Sequence, residues 1–153
     1  MNTHNDNIAF IGGGNMASAI IGGLLKSGLA ASQLQVVEPF EEQRLKLKQQ
    51  FGLAVHASAG EALASAGLVV WAVKPQSFKD AAWQTHAHTK TALHLSVAAG
   101  ITSNSIAHWL GTERIVRAMP NTPALVGQGI TALFARPAVT AINRLAVERV
   151  VKT

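Results

Sequence analysis

Short apolar runs of β type alternate with segments whose apolar positions recur at helical spacing, and the alternation runs along nearly the whole chain. The first run, Ile8 to Ile11, feeds Gly12, Gly13 and Gly14 and then a helix over about Met16 to Lys26 that stops at Gly28. Leu34 to Val37 predicts a second strand ending at Glu38. Pro39 opens a helix through roughly Phe40 to Phe51, in which Leu45, Leu47 and Phe51 stand among Glu41, Glu42, Arg44, Lys46 and Lys48, and Gly52 ends it. Leu53 to Val55 predicts a short third strand, Ser58 a cap for an alanine-rich helix from Gly60 to Ala66, and Leu68 to Val73 a fourth strand. That fourth run is apolar on both faces and so belongs at the centre of a sheet.

A helix from about Phe78 to Ala87 follows, then a strand from Ala92 to Val97 and a short helix that Thr102 or Ser103 caps ahead of Ile106 and Leu110. Arg114 to Met119 predicts another strand, which runs into Pro120-Asn121-Thr122-Pro123, a loop that two prolines bar from continuing as sheet or helix. Gly129 to Phe134 reads as a further strand and Val139 to Val151 as a last helix with Ile142, Leu145, Ala146 and Val150 apolar. Strands alternating with helices in this way predict one α/β domain over residues 1–153, a Rossmann-like doubly wound, mostly parallel sheet with helices on both faces. No internal repeat or linker interrupts it.

The glycine turn gives this frame its chemistry. In Gly12-Gly13-Gly14-Asn15-Met16-Ala17, Gly12 permits a tight turn and Gly14 removes a side chain where phosphates approach the backbone. Ala17 is small enough for helix to pack on strand. The amides that open the helix have no partners within it, so they face an anion. Glu38 stands 21 positions past Ala17, near the ~20 at which a carboxylate meets the adenosine ribose of a bound dinucleotide. Ligands of open α/β sheets bind beyond the carboxyl ends of the strands, so the segments Val73-Lys74-Pro75-Gln76, Ala98-Ala99-Gly100 and Met119 to Pro123 should share one edge with that turn.

Composition narrows the partners. The chain has 153 residues, 48% hydrophobic and 14% charged, enough apolar content for a single core and too little charge for a long solvated tail. Its formal net charge is +5, but the 13 Lys and Arg are scattered and Tyr is absent, which argues against nucleic acid as a partner and for a diffuse field that attracts an anionic cofactor. Cysteine is absent, excluding disulfides and thiolate metal sites. His86 and His88 have no accompanying carboxylate cluster, and no metal site is expected. The polar start and the lack of any apolar stretch near ~20 residues lead to the expectation of a cytoplasmic protein without membrane attachment.

With these residues in place, the chain resembles the N-terminal half of pyrroline-5-carboxylate reductases. The family's Gly-x-Gly-Asn-Met turn, Val-Lys-Pro, Ala-Ala-Gly and Met-Pro-Asn-Thr-Pro runs stand here in order at Gly12 to Ala17, Val73 to Pro75, Ala98 to Gly100 and Met119 to Pro123. The resemblance implies hydride transfer from a nicotinamide dinucleotide to the cyclic imine 1-pyrroline-5-carboxylate, giving L-proline. It further implies that Ile11 through Ala17 bind pyrophosphate, that Val73, Lys74 and Pro75 line the adenosine and ribose side, and that Ala98, Ala99, Met119, Pro120, Asn121 and Thr122 hold the nicotinamide end. Catalytic residues are not named by it.

Two departures stand out. The family's later serine- and glycine-rich runs, which hold substrate and build the homo-oligomer in a helical C-terminal domain, have no counterpart here, so the chain is expected to be inactive alone. It reads as the cofactor domain, truncated before that second domain. Family habit points to NADPH, whereas Glu38 favours NADH, since a carboxylate accepts from a ribose diol and repels a 2′-phosphate. The alternatives are a non-catalytic NAD(P)-binding module or truncated remnant, and a related dehydrogenase such as a hydroxyacid dehydrogenase or a deazaflavin-dependent NADP reductase.

Overall fold

A computed structural model describes residues 6–120 and 130–151. The chain passes in order through β1 (Ile8–Ile11), α1 (Asn15–Lys26), β2 (Leu34–Val37), α2 (Glu41–Phe51), β3 (Ala54–His56), β4 (Leu68–Trp71), α3 (Pro75–Thr85), β5 (Leu93–Ser96), α4 (Ser103–Leu110), β6 (Ile115–Pro120), β7 (Ile130–Ala135) and α5 (Ala141–Val151). The seven strands form one sheet in the order β3-β2-β1-β4-β5-β6-β7. All neighbours are parallel except β6 and β7. The winding reverses between β1 and β4, as expected of a Rossmann-like sheet.

Successive strand residues point to opposite faces, so each strand feeds two cores. Ile8 and Phe10 pack with Ile20, Ile21 and Leu24 of α1, Leu47 of α2 and Val147, Val150 and Val151 of α5. Ala9 and Ile11 pack on the other face with Phe78 and Ala82 of α3 and Ile106 and Leu110 of α4. Every residue of β1, β4 and β5 is buried, which places the predicted central strand where its two apolar faces require. Trp71 stacks on Phe78 at 4.7 Å between ring centroids, and Phe78 meets Trp109 at 5.8 Å.

Several boundaries and faces differ from expectation, each for a local reason. α3 begins at Pro75, three residues before the expected Phe78, because proline at the first helical position loses no intrahelical bond. Gly60 to Ala66 is not an α-helix: a 3-10 turn spans Glu61–Ser65, and Gly60, not Ser58, precedes it as the cap, with no side-chain bond. Thr102 does cap α4, its hydroxyl accepting from the Ser105 N–H at 3.1 Å. In α2 only Leu47 is fully buried while Leu45 is exposed, and in α5 Val147, Val150 and Val151 are buried while Ile142 and Leu145 face outward. Pro120 ends β6 instead of opening the loop. The parallel pairing of β6 with β5 stops at Arg117, so Pro120 has no ladder bond to donate there, and the pairing with β7 is irregular between Met119 and Pro120.

One polar group lies deep in the second core. Trp71 Nε1–H donates to His94 Nδ1 at 3.0 Å, which leaves the proton of the neutral ring on Nε2, buried without a hydrogen-bond partner among the described residues. Burial pushes the His94 pKa down to about 4; the Thr89 backbone opposes the shift, and the positive charge of Arg114 adds a smaller push in the same direction as burial. Below its ordinary pKa the unfolded chain takes up a proton that the folded chain refuses, so stability is full above pH 6.5 and falls as pH drops toward 4. Urea titrations should show a loss approaching about 3 kcal/mol across that window. His94→Gln, which keeps an acceptor for Trp71, should remove that component of the slope.

Candidate dinucleotide site

The carboxyl ends of the central strands are level. Ile11 pairs with Val37 on one side and Trp71 on the other, Trp71 pairs with Ser96, and Ser96 with Arg117. The turn after β1, Glu38 after β2, Val73 and Lys74 after β4 and Ala98 and Ala99 after β5 therefore open onto one edge at the reversal of winding.

The glycines of the turn have separate tasks. Gly12 has φ +95°, and a Cβ there would stand 2.5 Å from the Ala72 carbonyl oxygen, so a left-handed turn and close approach to β4 both demand glycine. Its N–H donates to the Val37 carbonyl at 2.8 Å. A Cβ on Gly13 would lie 2.5 Å from Leu47 Cδ1 and 3.0 Å from Val36 Cγ1, so this glycine lets α2 and β2 close over the turn. Gly14 is exposed, precedes α1 with φ −80°, and a Cβ there would meet nothing within 4 Å. Among the described residues, nothing requires its lack of a side chain. Ala17 is fully buried at the α1 contact with the sheet, and Asn15 and Met16 open the helix, the first exposed and the second half-buried.

Glu38 is buried at 6% exposure, and its carboxylate is already engaged by the backbone. Oε1 accepts from the Gly13 N–H at 2.9 Å and Oε2 from the Phe40 N–H at 3.0 Å. The carboxylate thus joins the end of β2 to the glycine turn. Arg44 Nη1 donates to the carbonyls of Glu38 and Pro39 at 2.9 and 2.8 Å, which fixes the entry to α2.

On the other side of the reversal, Lys74 caps α3 from an extended conformation and is exposed, while Pro75 belongs to the helix instead of a loop. Ala98 is buried, its N–H donating to Ser96 Oγ at 3.2 Å, and Ala99 is exposed. Gly100 takes φ +76°. Met119 and Pro120 continue β6 toward the same edge, and Asn121 and Thr122 lie outside the described residues. Gln43 was not singled out by its sequence position, yet its Nε2–H donates to the Gly13 carbonyl at 2.6 Å. Its spacing of one helical turn from buried Leu47 was the available signal. Among the described residues, no cluster of three or more His, Asp or Glu has the arrangement of a metal site, and no helix is long and apolar enough to cross a membrane.

Residues 7–100 match the family model described as NADP oxidoreductase, coenzyme F420-dependent. The chain belongs to this family. It is also 46% identical over 136 residues to pyrroline-5-carboxylate reductase of Pseudomonas aeruginosa, a match covering 88% of this chain and 50% of that protein. The corresponding enzyme of Escherichia coli is 42% identical over 136 residues, covering 87% of this chain and 51% of its own. The structure of a pyrroline-5-carboxylate reductase from Coxiella burnetii superposes with a TM-score of 0.89 at 33% identity, covering 97% of this chain and 56% of that one. The chain spans about half the length of the curated relatives it matches.

Gly12 and Gly14 should separate folding from binding. Gly12→Ala is expected to cost at least about 2 kcal/mol in urea unfolding, from a strained φ and a backbone clash. Gly14→Val should leave stability within about 1 kcal/mol, the scale of an ordinary surface change that adds a β-branched residue ahead of a helix. In fluorescence titration it should abolish the binding of reduced nicotinamide dinucleotide; equal affinity in wild type and Gly14→Val would remove the turn from the binding site.

Proposed function

We propose that this chain is the cofactor-binding half of a pyrroline-5-carboxylate reductase, a domain over residues 1–153 that holds NAD(P)H for hydride transfer to the imine carbon of 1-pyrroline-5-carboxylate, giving L-proline. The observation that carries the reading is Gly14, exposed at the start of α1 with open space where its side chain would be, in a turn whose other glycines the fold itself requires. The similarity to reductases of that name over most of this chain supports the substrate class.

In this reading the amides opening α1 hold the pyrophosphate, where the helix dipole favours negative charge. Val73, Lys74 and Pro75 flank the adenosine side, while Ala98, Ala99, Met119, Pro120, Asn121 and Thr122 flank the nicotinamide. The bound nicotinamide supplies the hydride; the chain's own contribution is to hold it at the sheet edge in one orientation. This reading assigns the substrate site and the homo-oligomer contacts to the half of such a reductase that this chain does not match. A second reading, hydride exchange between NADP and a deazaflavin, has the description of the family model behind it.

Purified chain should therefore bind NADH with quenched protein fluorescence, yet reduce pyrroline-5-carboxylate negligibly, because a reaction without a site for one reactant forgoes a proximity contribution of about 7–11 kcal/mol. Turnover comparable to a full-length reductase would contradict the assignment of this chain to the cofactor alone. Hydride transfer to a deazaflavin at a useful rate would favour the second reading.

For cofactor choice we infer a preference for NADH. The Glu38 carboxylate lies at the end of β2, where the adenosine ribose is expected, and its charge opposes a 2′-phosphate even while the backbone amides hold it. Arg44, the nearest cation along α2, already donates to two carbonyls. Glu38→Gln keeps the shape and an acceptor while removing the charge. It should lower the ratio of NADH to NADPH affinity by about tenfold, within the 1–3 kcal/mol scale of a charge-assisted contact. A wild-type preference for NADPH that Glu38→Gln leaves unchanged would show that another residue selects the cofactor.

A further inference from the structure

Gly13 is gripped by both of its backbone polar groups. Its N–H donates to Glu38 Oε1 at 2.9 Å, and its carbonyl accepts from Gln43 Nε2 at 2.6 Å. The orientation of the Gln43 amide follows from chemistry, because its oxygen would meet the carbonyl as a second acceptor. Leu47, one turn further along α2, lies 2.5 Å from where a Gly13 Cβ would stand, so the same face of α2 both packs against the turn and bonds to it.

The two bonds control different peptide planes. The Gly13 N–H belongs to the peptide between Gly12 and Gly13, whereas the Gly13 carbonyl shares a plane with the Gly14 N–H. In a trans peptide that carbonyl and that N–H point in opposite directions. Drawing the carbonyl toward α2 therefore turns the Gly14 N–H away from α2. The peptide it controls joins two glycines, so no Cβ on either side resists its rotation. Glu38 does not hold this plane. Rotated by half a turn, it would direct a carbonyl oxygen outward and set it against an anionic ligand.

We propose that Gln43 is a positioning residue for dinucleotide binding, which locks the Gly13–Gly14 peptide with its N–H outward and presents the Gly14 amide to a pyrophosphate. The proposal rests on the dinucleotide-binding reading above. It concerns the phosphate-bearing part of the ligand and leaves the adenine and nicotinamide ends to other residues. Gln43 touches the turn and not the reacting atoms, so its effect is on affinity for any ligand with a pyrophosphate.

Two variants test it in the 153-residue chain: Gln43→Met, which keeps the length of the side chain and lacks the donor, and Gln43→Glu, which sets an acceptor against the carbonyl. Titrations with NADH, with ADP and with adenosine distinguish the parts of the ligand. NADH and ADP should bind about 5–10-fold more weakly to Gln43→Met, the scale of one lost hydrogen bond, and more weakly still to Gln43→Glu. Adenosine affinity should stay within about twofold, since its contacts do not include the Gly14 amide. In nitrogen-15 spectra of the unliganded protein, the Gly14 amide should broaden or shift in Gln43→Met while amides in the β4 and β5 strands keep their positions.

Unchanged ADP and NADH affinity in both variants would overturn the proposal. So would a parallel loss for adenosine, which would mark Gln43 as merely structural. Failure of the wild-type chain to bind NADH would instead overturn the dinucleotide reading itself, and the proposal with it. Should a variant not fold, the Gly14 amide signal of the other still decides.

Discussion

The level carboxyl ends of β1, β2 and β4 constrain everything built on them. β1 is flanked by parallel neighbours on both sides and covered on both faces, so its chain can leave only along the strand direction, between the ends of β2 and β4. The space there is narrow. The Gly12 N–H is taken by the Val37 carbonyl, the Ala72 carbonyl stands where a side chain would go, and Leu47 and Val36 close over Gly13. A side chain at Gly12 could not make the passage without moving the backbone after β4, and one at Gly13 would have to displace the buried Leu47 and Val36 side chains. Because the passage is made, α1 begins directly above the sheet, with its free amides at the reversal of winding instead of buried beneath it.

Much of this was legible in the sequence because it rests on steric demands that few residue types satisfy. The run from Ile8 to Ala17 marked a strand, a turn and a helix, and the structure sets them within one residue of the expected bounds. β4 was recognisable from an unbroken apolar run, since only a strand buried on both faces needs one. Direction was less accessible. The alternating pattern of Ile130–Ala135 suits a parallel or an antiparallel strand equally, and only the pairing of Val116 with Ala135 and Arg117 with Phe134 shows the chain doubling back. Pro75 shows another limit: a proline a few residues past a strand suits a loop or the first position of a helix, and its identity does not say which. In α5 the buried stripe is Val147, Val150 and Val151, shifted around the helix from Ile142 and Leu145, because the sheet at that edge leaves the outer face uncovered among the described residues.

At the site, the sequence named the positions more readily than the partners. Glu38 was identifiable as the acidic residue after the second strand, but spacing alone does not tell whether a carboxylate faces a ligand, the backbone or both. The structure gives it two amide donors, from Gly13 and Phe40, so it is part of the turn whatever else it does. Gln43 was harder to single out for the converse reason, its one-turn spacing from Leu47 being the signal. A glutamine in the first turn of a charged helix is unremarkable by composition, and its significance comes only from a carbonyl 30 positions earlier in the chain. Long-range pairing of a side chain with a backbone group leaves no periodicity to read.

Trp71 gives the chain an optical property that follows from where it sits. Its indole is buried, stacked on Phe78 and hydrogen-bonded to His94, while the residue after it carries the carbonyl that crowds Gly12. Trp83 is by contrast 75% exposed. A dissolved collisional quencher will extinguish emission from Trp83, reach half-buried Trp109 in part and leave that of Trp71, so the most protected, blue-shifted light comes from one strand, adjacent to the glycine turn. The molecule thereby reports on its own innermost layer without an attached dye.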